Sequence, residues 1–229
     1  AVLRLRLAAT ANLKLNQLDL HTLALYLAGA ENVAYRLYET ILADAQGAFL
    51  SIPGERKRVG PSLSRDHMGE LGFGDDEALL PPGPRTFQGH RLLQEYLAFP
   101  ARFLFLAISG LERALAQANV SELELTIPLA HHERMLEDSV SADDFALHCV
   151  PAINLFPKRA DRIHTDTPRA EYHLVPDRTR PMDFEVYRVQ SVIGYGEGIE
   201  AQREVLPFYA MYVGRIDAHS DAYFTLRRE

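Results

Sequence analysis

The chain has 229 residues, a formal net charge of -7, 47 % hydrophobic residues and 24 % charged ones. This balance excludes disorder over most of the length, and the acidity argues against a dedicated nucleic-acid binder, which carries a basic excess. Cys149 is the only cysteine, so no intramolecular disulfide forms, which fits a reducing compartment, and no apolar run reaches the ~20 residues of a membrane-spanning helix.

Residues 2–9 set Leu3, Leu5 and Leu7 against Val2, Arg4 and Arg6, the period-two pattern of a strand. Arginines inside that stretch disqualify it as a signal-peptide core. The chain opens on this strand without an initiator Met, as a piece of something longer would. "QLDLHTLALYLAG" predicts a second strand closing at Gly29. Over residues 31–45, Val33, Ala34, Leu37, Tyr38, Ile41 and Leu42 fall on one face of a helix. Residues 51–87 gather proline, glycine and charge and predict a long surface loop, with at most one short strand near Gly47–Ile52. The triplet Asp75, Asp76, Glu77 inside it reads as a solvated cluster.

In "GHRLLQEYLAFPARFLFL", residues 89–106, the first half has helical spacing, with Leu92, Leu93, Tyr96 and Leu97 in one stripe. Pro100 lacks an amide donor and biases Phe99 away from helical geometry, ending the helix. Phe103–Ile108 does not alternate, which predicts a strand buried on both faces. The segment is expected mostly to build core, through its Leu, Tyr and Phe side chains. A short helix aligning Leu111, Ala114, Leu115 and Ala118 follows, then the alternating strand "ELELTIPL". The fold class expected is α+β, with a layered first part at residues 1–141. A β-rich second part is expected at 142–229, with strands in "DFALHCVPAINLF", "EYHLVPD" and "EVYRVQSVIGY".

The patterns that carry chemistry are weak. His131–His132 and His148–Cys149 are adjacent pairs, which neither a helix nor a strand aims at one point, so no metal site is expected. Surface histidines and a buried thiol are the expected alternative. "GYGEG" at residues 194–198 lacks the Lys-Ser/Thr of a phosphate loop and reads as a turn, and no G-x-S-x-G is present. No catalytic, metal or cofactor-binding residue is assigned. "NLFPKRADRIH" places Phe156 beside Lys158, Arg159 and Arg162, an aromatic next to cations as in interface hot spots. A strand end with Phe156 in the core reads the same residues equally well. "VPDRTRP" predicts a rigid turn nearby, and together they predict a basic patch for an acidic partner.

"GHRLLQEYLAFPARFLFL", "VSADDFALHCVPAINLFPKRADRI" and "EYHLVPDRTRPMDFEVYRVQSVIG" resemble the central signatures of the TssF family. "LDLHTLALYLAG" and "LGFGDDEALLP" agree in order and spacing, so the resemblance covers essentially the whole chain. Members are far longer, so it implies a central fragment. It further implies a structural wedge subunit of the type VI secretion baseplate, similar to phage-tail wedges and a platform for the tail tube and sheath. The implied partners are TssG, TssK, TssE, a second TssF copy and the VgrG hub. The implied place is the bacterial cytoplasm, with no nucleic acid and no membrane insertion. No catalytic residues are implied. The competing class is an enzyme or ligand-binding domain acting on carbohydrate through surface carboxylates.

Overall fold

β1 (Val2–Ala8) and β7 (Glu122–Pro128) pair antiparallel along their whole lengths, Leu3 against Ile127 and Leu7 against Leu123. Both sequences alternate, so pairing in this register turns every leucine to one side and the charges to the other. β7 then pairs with β3 (Ala48–Ser51), and β3 with β4 (Arg58–Leu63), giving a first sheet in the order β1-β7-β3-β4. A second sheet, β5-β6-β2-β8, is built from β2 (Leu23–Leu27), β5 (Met68–Leu71), β6 (Phe105–Ile108) and β8 (Phe145–Ala146). All pairings in both sheets are antiparallel. The computed structural model describes residues 1–55, 57–80, 87–166, 168–196, 202–208 and 222–227.

Two cores hold these layers. In the first, Leu123, Leu125 and Ile127 of β7 meet Leu23 and Leu25 of β2, Ile108 of β6, and Ala114 and Leu115 of α3 (Glu112–Leu115). In the second, Val33, Ala34, Leu37 and Ile41 of α1 (Glu31–Asp44) cover Leu27 and Leu106, with Leu136 of α4 (Arg134–Ser139) closing one side. Each fully buried leucine or isoleucine contributes about 1.5–3 kcal/mol. The fold is therefore α+β, as expected. β6 is central in its sheet, and Phe105, Leu106 and Ile108 are all buried.

Residues 51–87 differ from the expected loop, because β4 and β5 form within them. The Gly60–Pro61 pair that signalled a break lies inside β4, where Gly60 adopts φ +69° and packs on Ala114. A Cβ at Gly60 would collide with the Ala114 backbone. β4 is an edge strand, one of the few places in a sheet that tolerates a proline such as Pro61. Residues 81–86, the end of the expected loop, lie outside the described residues.

The chain divides into two compact units, Ala1–Ile153 and Asn154–Glu229. The division falls later than residue 141 because β8 pairs with β2, and Asp144 accepts from the Ser141 amide at 2.6 Å. In the second unit, β10 (Gln202–Pro207) pairs antiparallel with β9 (Val192–Tyr195) and parallel with β11 (Tyr223–Phe224). The strand expected in "EYHLVPD" does not form, and that in "EVYRVQSVIGY" is reduced to β9. Pro151, Pro157, Pro176 and Pro181 remove ladder donors from this region. Side chains organise it instead: Tyr172 hydroxyl donates to the Asp166 carbonyl at 2.9 Å, and Asp161 accepts from the Arg178 amide at 2.7 Å. The end of the "GYGEG" turn, from residue 197, lies outside the described residues. Cys149 is exposed, which corrects the expected buried thiol, since the chain around it pairs with no strand.

Candidate protein interface

α2 (Gln88–Ala98) forms where expected and stops at Phe99, whose amide donates to the Glu95 carbonyl at 2.8 Å before Pro100 starts a 3-10 turn. Its orientation is the reverse of the expected one. Arg91 and Glu95, one turn apart, are 2 % and 3 % exposed. Leu93, Tyr96 and Leu97 stand in solvent, Leu97 at 74 % exposure, and Leu92 is half-buried. Two residues along a helix is about 200° of rotation, so burying Arg91 sets Leu93 outward. This segment does not build core as a whole. Only Phe103 to Leu106 and Ile108 do so.

The buried side of α2 is a charge cluster. Glu95 Oε2 pairs with Arg102 Nη1 and lies 3.2 Å from Arg91 Nη1. Its other oxygen accepts the backbone amides of Leu79 and Leu80 at 3.1 and 3.0 Å. Arg102, 1 % exposed, donates through Nη2 to the Gly72 and Glu77 carbonyls at 2.9 and 2.8 Å. Arg91 Nε donates to Gln88 Oε1 at 2.7 Å. Glu77 closes the loop by accepting the Gly72 and Gly74 amides, both at 2.9 Å. Thus Glu77 is not a solvated member of an acidic triplet. Burial, and next the neighbouring Arg91 charge, pull the Arg102 guanidinium below its ordinary pKa, and Glu77 opposes them. It stays a cation at any physiological pH.

A buried pair of this kind adds little net stability, but removing one partner strands a charge at a cost of about 3–5 kcal/mol. The cluster therefore fixes which way α2 faces. Rotating the helix to hide its leucines would pull Arg91 and Glu95 away from Arg102 and from the amides of residues 79 and 80. Tyr96 is held on the outside, its ring 5.9 Å from that of Phe103, and Phe103 in turn lies 4.8 Å from Phe73. Burial, and next the neighbouring Tyr96 phenol, raise the Tyr35 pKa above its ordinary value. The outcome is an exposed apolar face of Phe73, Leu93, Tyr96 and Leu97, with Phe99 at the helix end. Such faces mark contact sites. Sequence periodicity located the stripe. An i, i+4 Arg–Glu pair looks the same buried or solvated, so nothing in the pattern gave the direction.

In the second unit the expected patch is partly assembled. Phe156 is exposed and meets Phe184 edge-on at 6.1 Å. Lys158 Nζ lies 4.4 Å above the Phe184 ring and 3.2 Å from Asp177 Oδ2. Thr179, donating at 2.6 Å, and then Lys158 hold the Asp177 carboxyl down at about 2. The Arg162 guanidinium stacks 5.3 Å over Tyr195. Arg178, from the predicted turn, donates to the Arg162 carbonyl at 3.2 Å. Arg159 is exposed and has no ion-pair partner among the described residues. Lys158 is thus neutralised within the unit, whereas neither Arg159 nor Arg162 has a carboxylate partner among the described residues.

Among the described residues, no group of three or more His, Cys, Asp or Glu side chains is arranged to hold a metal, and no helix is long and apolar enough to cross a membrane. The histidines make local pairs instead, His131 with Asp44 at 2.8 Å and His132 with Glu137 at 2.9 Å.

A surface that hides charge and shows leucine is suited to meeting other proteins, and the comparisons with known proteins agree with that character. The family profile of "Type VI secretion system, TssF" matches residues 1–229, and the chain belongs to this family. It is 46 % identical over 231 residues to the type VI secretion system component TssF1 of Pseudomonas aeruginosa, covering 100 % of this chain and 36 % of that protein. It is also similar, with a TM-score of 0.72 and 31 % identity, to a chain of a TssK-TssF-TssG baseplate subcomplex solved by cryo-electron microscopy. That match covers 95 % of this chain and 40 % of the solved one. The chain thus spans little more than a third of the curated relative.

Proposed function

We propose that this chain is a structural, non-enzymatic part of a type VI secretion baseplate and that the outward face of α2 is one of its subunit contacts. Its partners there are TssG and TssK, the proteins that accompany the similar chain in the solved subcomplex. TssE, a second TssF copy and the VgrG hub are further partners on family resemblance, and the place is the bacterial cytoplasm. The single observation that carries this reading is the reversed helix. Arg91, Glu95 and Arg102 are inside while Leu93 and Leu97 are outside, an arrangement that leaves apolar surface for a neighbour to cover. The best-buried carboxylate, Glu95, is fully engaged by two arginines and two amides, which speaks for scaffold rather than acid–base chemistry.

Phe156, Lys158, Arg159 and Arg162 form a second contact in this reading, with Arg159 and Arg162 supplying the charge. The test is co-expression of the full-length protein with TssG and TssK. A Leu93→Asp/Leu97→Asp variant should keep its thermal melt and lose co-purification. Arg159→Glu should weaken co-purification with an unchanged fold. Undiminished recovery of both partners by the α2 double variant contradicts the assignment of that face.

A further inference from the structure

The first sheet has two edges of opposite character. β4 is blunted: Pro61 has no donor, Gly60 takes a positive φ, and the β3–β4 register shifts between Ala48 and Leu50. β1 has none of these devices. It runs seven residues in unbroken register with β7 and pairs with no other strand. The second sheet ends in strands of only four and two residues, β5 and β8. Natural proteins shorten, bend or cover edges that are not meant to pair. Among the described residues, β1 is the long edge left open.

The backbone groups it presents follow from the ladder. Leu129 amide donates to the Ala1 carbonyl at 2.9 Å, and Ala9 amide to the Ser121 carbonyl at 2.8 Å. Odd-numbered residues therefore bond to β7, and by antiparallel alternation the amides and carbonyls of Val2, Arg4, Arg6 and Ala8 point the other way. The side chains give a second, independent sign. Leu123, Leu125 and Ile127 are 0–1 % exposed, yet Leu7, Leu5 and Leu3 opposite them are only half-buried. The leucine row is covered on the β7 side and bare on the other. On the outer face, Arg4 and Arg6 pair with Glu124 and Glu122 across the ladder and remain largely exposed.

We infer that the free edge of β1 binds an extended segment of a partner protein in which acidic and apolar residues alternate. The acids would lie beside Arg4 and Arg6, completing a Glu–Arg–Glu row, and the apolar residues would cover Leu3, Leu5 and Leu7. Main-chain bonds supply the affinity and alternate side chains the selectivity. Charge decides against a second copy as the occupant. β1 against β1 in the fully overlapped antiparallel register sets Arg4 opposite Arg6, and like charges directly opposite are destabilising.

The test uses the full-length protein and a synthetic peptide of residues 122–129, ELELTIPL, which already pairs with β1 from its other side. Hydrogen–deuterium exchange should show the Arg4, Arg6 and Ala8 amides exchanging quickly alone and slowing with peptide, while Leu3, Leu5 and Leu7 stay protected throughout. Arg6→Pro removes only an outward donor and should weaken binding about tenfold or more. Should that variant melt early, Arg4→Glu/Arg6→Glu serves in its place and should prefer a peptide with lysines replacing Glu122 and Glu124. The inference is overturned if saturating peptide leaves exchange unchanged or if the lysine peptide binds the native protein equally well. It is also overturned if the even-numbered amides are already protected without peptide, which would mean an occupant from the same chain or a second copy.

Discussion

α1 and α2 are both amphipathic helices of this fold, and they use their apolar faces in opposite ways. α1 turns Val33, Ala34, Leu37 and Ile41 into a core and leaves the Arg36–Glu39 pair at 2.7 Å in water. α2 turns its Arg–Glu pair inward and leaves Leu93 and Leu97 in water. Spacing alone therefore fixes that a helix has a stripe, and the neighbours fix what the stripe touches. For α1 the neighbours are Leu27 and Leu106, which are apolar. For α2 they are Arg102 and the amides of residues 79 and 80, which are not.

The comparison breaks most sharply on the acids. Glu95→Ala strands two buried guanidiniums and should cost about 3–5 kcal/mol in denaturant unfolding. Glu39→Ala, on the exposed side of α1, should stay within about 0.5 kcal/mol. Equal effects would remove the distinction between the two helices. Truncating the apolar residues should give the mirror image. Phe103→Ala should cost about 3–5 kcal/mol and Leu37→Ala about 2–5, while Leu97→Ala changes stability by about 0.5 kcal/mol or less.

A smaller effect reports on the packed side of α1 by titration. Burial, and next the Glu70 charge, push the Tyr38 phenol up to about 12. Its folded pKa lies above the unfolded one, so the neutral phenol favours the fold. That contribution is complete below the unfolded pKa and is lost as pH rises through about 12. The ultraviolet titration of tyrosinate should show a late step that Tyr38→Phe removes.

The smallest expected effect is in the second unit, where the Asp177 pKa of about 2 lies below its unfolded value. The Asp177 contribution is present above the unfolded carboxyl pKa and is lost as pH falls through about 2. Thr179→Val should shift the Asp177 carboxyl resonance midpoint upward, since the Thr179 hydroxyl is the largest cause.

Much of the first unit was legible because its patterns are consistent with its neighbours. β1 and β7 alternate and pair with each other, and α1 and α3 bury the residues their spacing aligned. Three features were not legible for three physical reasons. β4 contains Gly60–Pro61, which reads as a break unless its edge position is known. The apolar runs after residue 146 have strand composition, but their prolines leave too few donors for a ladder. The direction of α2 depends on Arg102, eleven residues from Arg91, and on a loop, and no local pattern encodes that meeting. Of the four residues expected in a contact patch, the sequence placed Phe156 and Lys158 close together, but it did not reveal that Asp177 would neutralise the lysine.

The most direct test asks whether Leu97 is bare alone and covered in assembly. With Cys149 and any cysteine elsewhere in the full-length protein replaced by serine, a Leu97→Cys variant can be alkylated before and after mixing with TssG and TssK. Rapid labelling of the free protein and strong protection in the complex is the predicted result. Slow labelling when free, or equally rapid labelling when bound, would contradict an outward α2 face that serves as a subunit contact.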